Sequence, residues 1–455
     1  MFMPPLDSQQ ITGHLVQLDR IGVRLTGQPG EAAAAKYIAR ELAAMGARVH
    51  LEEFPVQTRE VREQQLQVRY EGAWHDFPCS LLANAPGTNG EWVEAPLVFF
   101  EGPTGYRQRH LSPPMRDCIV LHLGSHLESR DHYRRLMAAA PAGLLMVDTR
   151  YPSGQPLADA LFPAYTAAAG AVPTLNVAFL DAWQWRARGA THARFRVVGG
   201  MRSARSANVV AELPGREPQA GALYVGAHHD TQADSVGTDD NGTGVAGLIE
   251  LCRVLAPRDR RRTIRFISFG AEEQLSVGSA AYVRRHREEL AREGKVMFNL
   301  DSFGSLLGWN VLHGVGAGPL RRDVTAHFRL QREEVVWNQQ VLPYADHFPF
   351  LAAGVPGFTL MRQNCSAGRF FHHRPDDTLE RVSPPRMASL LGAVASFIAE
   401  MAELSELPFP SKVPTRARPA IARHWADLFG GWDGTEGGPG AVLPAPESEV
   451  PVERI

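Results

Sequence analysis

Apolar positions recur along this chain with two different periods. Over 31–45 (EAAAAKYIARELAAM), Ile38, Leu42 and Met45 share one face at helical spacing. Gly46 follows, where a helix end favours a left-handed residue. Arg48 to Phe54 alternates apolar and polar, which predicts a strand. LQVRY and AWHDF on either side of Glu71-Gly72 predict a hairpin.

From about 92 to 200 the texture changes. VEAPLVFF, DCIVLHL, GLLMVDT, TLNVAF and ARFRVV read as short apolar strands between Gly/Pro-rich turns, with helical stretches near 129–140 and 180–188. This predicts a small α/β module inserted at 92–200. Residues 206–403 return to strand-helix alternation. Strands LYVGA, TIRFISF and VMFNL are separated by the helix VAGLIELCRVLA, with Val245, Leu248, Ile249, Cys252 and Leu255 at helical spacing, and by a helix from about 277. A last helix starts at Ser383-Pro384 and buries Met387, Leu390, Leu391, Val394 and Ile398. Such alternation predicts an α/β fold with a mostly parallel central sheet covered by helices on both faces.

The expected division is therefore 1–91 with 201–405 as one discontinuous domain, 92–200 as the insertion, and 406–455 as a Pro/Gly-rich tail. The tail is expected to be disordered apart from a short amphipathic helix at 420–432, with Ile421, Trp425, Leu428, Phe429 and Trp432 on one face. That face is expected to dock on the protein's own body or a twin subunit rather than on a membrane.

With 455 residues, two domains are the default. A net charge of −2, from 47 basic and 49 acidic residues, points to neither nucleic acid nor an anionic membrane as partner. No secretory signal is visible and no apolar stretch is long enough to span a bilayer, so the expectation is a cytoplasmic protein, with a mature secreted form left open. Four scattered cysteines without a C-x-x-C pair argue against a disulfide framework or a thiolate zinc site. Oligomeric state is open.

The chemistry sits where strands end. LYVGA runs into His228-His229-Asp230, TIRFISF into Gly270-Ala271-Glu272-Glu273, and VMFNL into Asp301. Ligands bind beyond the carboxyl ends of strands in open α/β sheets. Loops add Asp239-Asp240 and His372-His373. Imidazole nitrogen and carboxylate oxygen suit zinc at about 2.0–2.2 Å. In a His-x-Asp pair the aspartate orients the ligating imidazole, a role that falls to Asp230 beside His228. The carboxylates Asp240, Glu273 and Asp301 with a shared hydroxide bring four negative charges, which two zinc ions neutralise. A bridging Asp240 would hold them about 3.5–4 Å apart. The expected pairing puts His228 with Asp301 and Glu273 with His373.

AHHDT, GTDDNGTG, AEE followed by VGS, NLDSFG, ADHFPF with AGVP, and HHRPDDT stand in the order found in the co-catalytic zinc aminopeptidases. The chain resembles that family, which includes bacterial leucyl aminopeptidases and is related to glutamate carboxypeptidase. The resemblance covers roughly 11–60 and 205–403, and the insertion resembles a protease-associated domain. It implies a hydrolase of peptide bonds that removes N-terminal residues, with metal ligands His228, Asp240, Glu273, Asp301 and His373. It selects Asp240 over Asp239 as the bridge and His373 over His372 as the last ligand. Glu272 becomes the general base acting on a water shared by two zinc ions; cobalt or manganese could replace zinc. One departure is Ala345, where the family usually has serine.

The substrate pocket is expected around Tyr344, Asp346, His347, Phe348, Phe350, Met361 and Phe370, in the stretches Tyr344–Phe350 and Met361–Phe371. Blander roles stay open for several residues: His347 with Asp346 could be a structural pair, and His229 and His372 read mostly as residues that support the neighbouring ligands or pack. Cys365 reads as an inert small hydrophobe. Competing functions are a carboxypeptidase or amide deacylase on the same two-metal site, a one-zinc glutaminyl cyclase, and a non-enzymatic receptor-like relative. The last typically shows broken ligands, and none is broken in this sequence.

Overall fold

The structure is a computed structural model that describes residues 6–101, 114–124, 127, 129–150, 152–363 and 370–433. The tail beyond 433 and the loop stretch 364–369, including Cys365, lie outside the described residues. Two compact units divide the described chain: 6–54 with 205–426, and 55–204 with 427–433.

In the first unit, strands Ala222–His228, Thr263–Phe269, Gly294–Leu300 and Gly357–Gln363 lie parallel to one another. Trp309–Val315 joins antiparallel to Gly357–Gln363, with Val336–Asn338 parallel beyond it, and the end of His192–Leu213 closes the opposite side antiparallel to Thr263–Phe269. Alternation along a strand sends neighbours to opposite faces. Leu223, Val225 and Ala227 thus enter the core built with helices Ser8–Ile21, Pro29–Ala44, Gly244–Leu255, Gly318–Leu330 and Pro384–Glu403. Tyr224, between them, meets Phe350 of helix His347–Ala352 on the other face at 5.3 Å. Both faces are covered, which is why these strands read as continuous apolar runs.

The second unit holds its own parallel sheet of Val93–Phe100, Ile119–Leu123, Gly143–Val147 and Thr174–Val177. Helices Arg130–Ala138, Pro163–Ala169 and Phe179–Ala187 accompany it. Pro163–Ala169 had no counterpart in the expected elements. The border falls at 54/55 rather than 91/92, and the reason lies in packing. Phe77 of the hairpin stacks edge-on against Trp185 at 5.0 Å, and Arg59 Nε donates to the Leu81 carbonyl at 2.9 Å. The predicted strand 48–54 and the first hairpin strand are one element, Arg48–Tyr70. Its polar middle, EVREQQ, masked the continuity.

The tail helix runs Arg418–Leu428, with Ile421, Trp425, Leu428 and Phe429 buried. The Arg284 guanidinium lies 4.9 Å from the centre of the Trp425 ring. Among the described residues no helix is long and apolar enough to cross a membrane.

Candidate metal centre

Every residue of Ala222–His228 is buried, and the strand ends on His228. Its neighbour Thr263–Phe269 pairs Phe269 with His228, then turns through Ala271 (φ +53°) into the short turn Glu272–Gln274. Gly294–Leu300 on the other side runs directly into Asp301. Because the three strands are parallel, they deliver these side chains to one edge. Asp240 arrives from the turn Thr238–Thr243, just ahead of helix Gly244–Leu255. Asn241 ties that turn to the sheet: its Nδ2 donates to the Leu300 carbonyl at 2.9 Å, and its Oδ1 accepts the Gly244 N–H at 2.8 Å.

His228 Nε2 lies 3.3 Å from Asp240 Oδ1 and 3.7 Å from Asp301 Oδ1. The other Asp240 oxygen is 2.9 Å from His372 Nδ1 and 3.6 Å from His373 Nε2, and His373 Nε2 is 2.9 Å from Glu273 Oε2. Asp240 therefore stands between two donor groups, His228 with Asp301 and the histidine pair 372–373. All five of His228, Asp240, Glu273, Asp301 and His373 meet. So does His372, for which the sequence supports a role behind the ligands or in packing; an extra histidine beside a ligand carries no local sign of its direction.

Burial and charge oppose each other throughout this cluster. Burial alone would lower the His228 imidazole, but the neighbouring carboxylates of Asp230, Asp240 and Asp301 hold it well above its ordinary value. Asp240 is the reverse: burial would raise it, and His228 and His372 hold it well below the usual carboxylate range. Burial pushes Glu273 up to about 7 against the pull of His373. Such strong opposing shifts in one buried cluster mark it as a functional-site candidate.

Glu272 is placed differently. Its Oε2 is 4.0 Å from His228 Nε2, its side chain is 13% exposed against 1% for His228, and Ser276 Oγ donates to its Oε1 at 2.9 Å. Asp230 holds the turn that carries it: the Glu272 N–H donates to Asp230 Oδ1 at 3.0 Å and the Glu273 N–H to Oδ2 at 3.1 Å. The Asp230 carboxylate is 3.6 Å from His228 Nδ1, which lies nearer the Asp230 carbonyl at 3.2 Å. The sequence assigns no role to Asp377, although it lies in HHRPDDT, nor to Arg24.

The expected pocket residues divide. Tyr344 and Met361 are half-buried. Asp346, His347 and Phe348 are 0% exposed, as is Phe350. His347 Nδ1 is bonded to Thr359 Oγ1 at 2.6 Å, and burial pushes Asp346 up to about 7. Phe350 packs among Tyr224, Phe269 and Tyr282. Phe348 and Phe350 are thus core side chains with no surface to offer a ligand, a correction that periodicity in a six-residue helix could not supply.

Residues 208–398 match the family model described as Peptidase family M28. The matched stretch is less than half of the chain and is the part of it similar to the M28 peptidases. Residues 208–398 contain His228, Asp230, Asp240, Glu272, Glu273, Asp301, His372, His373 and Asp377, whereas Arg24 lies outside them. Aminopeptidase YwaD of Bacillus subtilis (strain 168) is 29% identical over 204 residues, 43% of this chain and 44% of that protein. Carboxypeptidase Q of Rattus norvegicus is 29% identical over 207 residues, 44% of this chain and 43% of that protein. The alignments thus span less than half the length of these curated relatives. The M28 fold extends further than the sequence match. A zinc aminopeptidase structure from Bacillus subtilis superposes with TM-score 0.71 at 21% identity, covering 90% of this chain and 98% of that one. The aminopeptidase from Aneurinibacillus sp. strain AM-1 gives 0.70 at 22% identity, covering 90% and 97%.

Proposed function

We propose that this chain is a zinc-dependent exopeptidase that removes the N-terminal residue of peptides, with Glu272 as general base. The observation that carries the reading is Asp240 standing between two donor groups with the more exposed Glu272 beside them. The residues suit zinc, being imidazole nitrogens and carboxylate oxygens. Among the described residues, Glu273 Oε1 is moreover buried without a hydrogen-bond partner, as a carboxylate oxygen reserved for a cation would be. His228, Asp240 and Asp301 would hold one ion, and Asp240, Glu273 and His373 a second, with His372 also within reach. Bound there, zinc supplies Lewis acidity that activates water and polarises the scissile carbonyl.

Glu272 removes the proton from the attacking water and returns it to the leaving amine. Asp230 fixes the main chain of that base through its N–H, and Ser276 holds one carboxylate oxygen, leaving the other for the proton. Aminopeptidase YwaD among the curated relatives supports the amino-terminal reading. Carboxypeptidase Q favours a second, carboxyl-terminal reading on the same site. We also read residues 92–200, within the second unit, as a protease-associated-like module.

The test joins a zinc count to a substrate screen. Wild type is expected to bind two zinc ions per chain and to hydrolyse free-amine aminoacyl anilides but not N-blocked ones. Activity confined to N-blocked, C-terminal-type substrates would move the assignment to the carboxypeptidase. Glu272→Gln should keep its zinc and lose at least about a hundredfold in kcat; turnover near wild type would remove Glu272 from the mechanism.

A further inference from the structure

Arg24 lies in the link between helices Ser8–Ile21 and Pro29–Ala44 and is 0% exposed. Among the described residues its guanidinium donates only to main-chain carbonyls: Nε to His229 at 2.8 Å, Nη1 to Val236 at 2.7 Å and to Gly22 at 3.4 Å, and Nη2 to Gly237 at 3.0 Å. Its own main chain is paired with Thr231. The Arg24 N–H donates to Thr231 Oγ1 at 2.9 Å, and the Thr231 N–H donates to the Arg24 carbonyl at 3.1 Å.

Three of those carbonyls bracket one segment. His229 follows His228 directly, and Val236 and Gly237 come just before the turn that carries Asp240. One rigid planar fork thus clasps both ends of the loop joining two candidate ligands. The charge also calls for an explanation, because neutral donors would satisfy carbonyls at a far smaller desolvation cost. Among the described residues no carboxylate makes an ion pair with Arg24. Asp19, Asp377, Asp230 and Asp240 nevertheless all attract it at longer range. The guanidinium therefore stands as fixed positive charge beside a cluster rich in carboxylates.

We propose that Arg24 is a positioning residue of the metal centre: it sets the separation of His228 and Asp240 and offsets the negative charge of the carboxylates around them. The proposal rests on the reading that these two side chains hold metal. An ammonium offers its donors from a single nitrogen in place of a rigid planar fork, so Arg24→Lys keeps the charge and loses the fork, whereas Arg24→Gln loses both.

The experiment measures zinc retention against a competing chelator, kcat and KM per bound zinc, and thermal midpoint, for the full chain and both variants. Arg24→Lys is expected to stay folded, to release zinc at about tenfold to hundredfold lower chelator concentration, and to lose kcat with KM little changed. Arg24→Gln should release it more easily still. A role in folding alone would lower the midpoint and leave zinc retention of the folded protein unchanged. A folded Arg24→Lys that keeps zinc and turnover within about twofold of wild type overturns the proposal. Should both variants fail to fold, Thr231→Val, which removes the acceptor of the Arg24 N–H and keeps the Thr231 N–H bond to the Arg24 carbonyl, is read in the same way: weakened zinc retention supports the proposal and wild-type retention overturns it. Wild-type protein that binds no zinc would sink the metal reading itself, a result distinct from an unaffected variant of a zinc-loaded enzyme.

Discussion

The carboxylate of Asp377 accepts the main-chain N–H of Asp240 at 3.0 Å, across 137 positions of sequence. Its other oxygen accepts the Asp239 N–H at 2.9 Å, and its carbonyl accepts the Thr238 N–H at 3.3 Å. Three consecutive N–H groups of the Asp240 turn thus end on one fully buried residue. Asp377→Asn keeps the shape but turns an amide NH₂ toward one of those donors. Zinc affinity should fall by about tenfold to hundredfold, read by chelator competition, with far-ultraviolet circular dichroism unchanged. Wild-type zinc affinity in the variant would show that the turn holds itself.

Asp230 acts on the glutamate turn more than on the histidine it follows. Its two oxygens take the N–H groups of Glu272 and Glu273 at 3.0 and 3.1 Å, and Thr26 Oγ1 donates to it at 3.0 Å. In Asp230→Asn one of those N–H groups meets an NH₂. The expected result is a kcat lower by about tenfold to a hundredfold with KM nearly constant, since the base is displaced while substrate contacts remain. A change confined to KM would count against this.

Phe350 tests the corrected pocket. Wholly buried among Tyr224, Phe269 and Tyr282, it should cost about 3–5 kcal/mol when truncated to alanine, measured by denaturant unfolding. The ranking of aminoacyl substrates should not change. A reshuffled ranking would return Phe350 to the pocket.

His286 gives a pH dependence far from the cluster. Its Nε2 is 2.8 Å from Glu52 Oε1 and its Nδ1 3.1 Å from Glu289 Oε2, while Arg285 bonds Glu52 and Arg265 bonds Glu289. Burial would lower this imidazole, but the two carboxylates raise it to about 9. A folded value above the unfolded value of about 6.5 means stability that is complete below pH ~6.5 and lost as pH rises through about 9. The thermal midpoint should decline across that window, and His286→Asn should flatten the decline. An unchanged slope would remove His286 as its source.

Local pattern settles what depends on local environment. Alternation and helical spacing placed the strands ending at His228, Phe269 and Leu300 and the helix after Asp240, because burial of one face or both is written into successive residues. The order of strand ends then brought His228, Glu273 and Asp301 to one edge. Partners of buried polar groups leave no such periodic trace. Asp377 under the Asp240 turn, Arg24 across the carbonyls of His229 and Gly237, and His372 beside Asp240 all depend on segments that meet only in three dimensions. The border at 54/55 and the burial of Phe350 were likewise decided by tertiary packing. A side chain's spacing reports that it is buried, whereas only the folded chain determines what it is buried against.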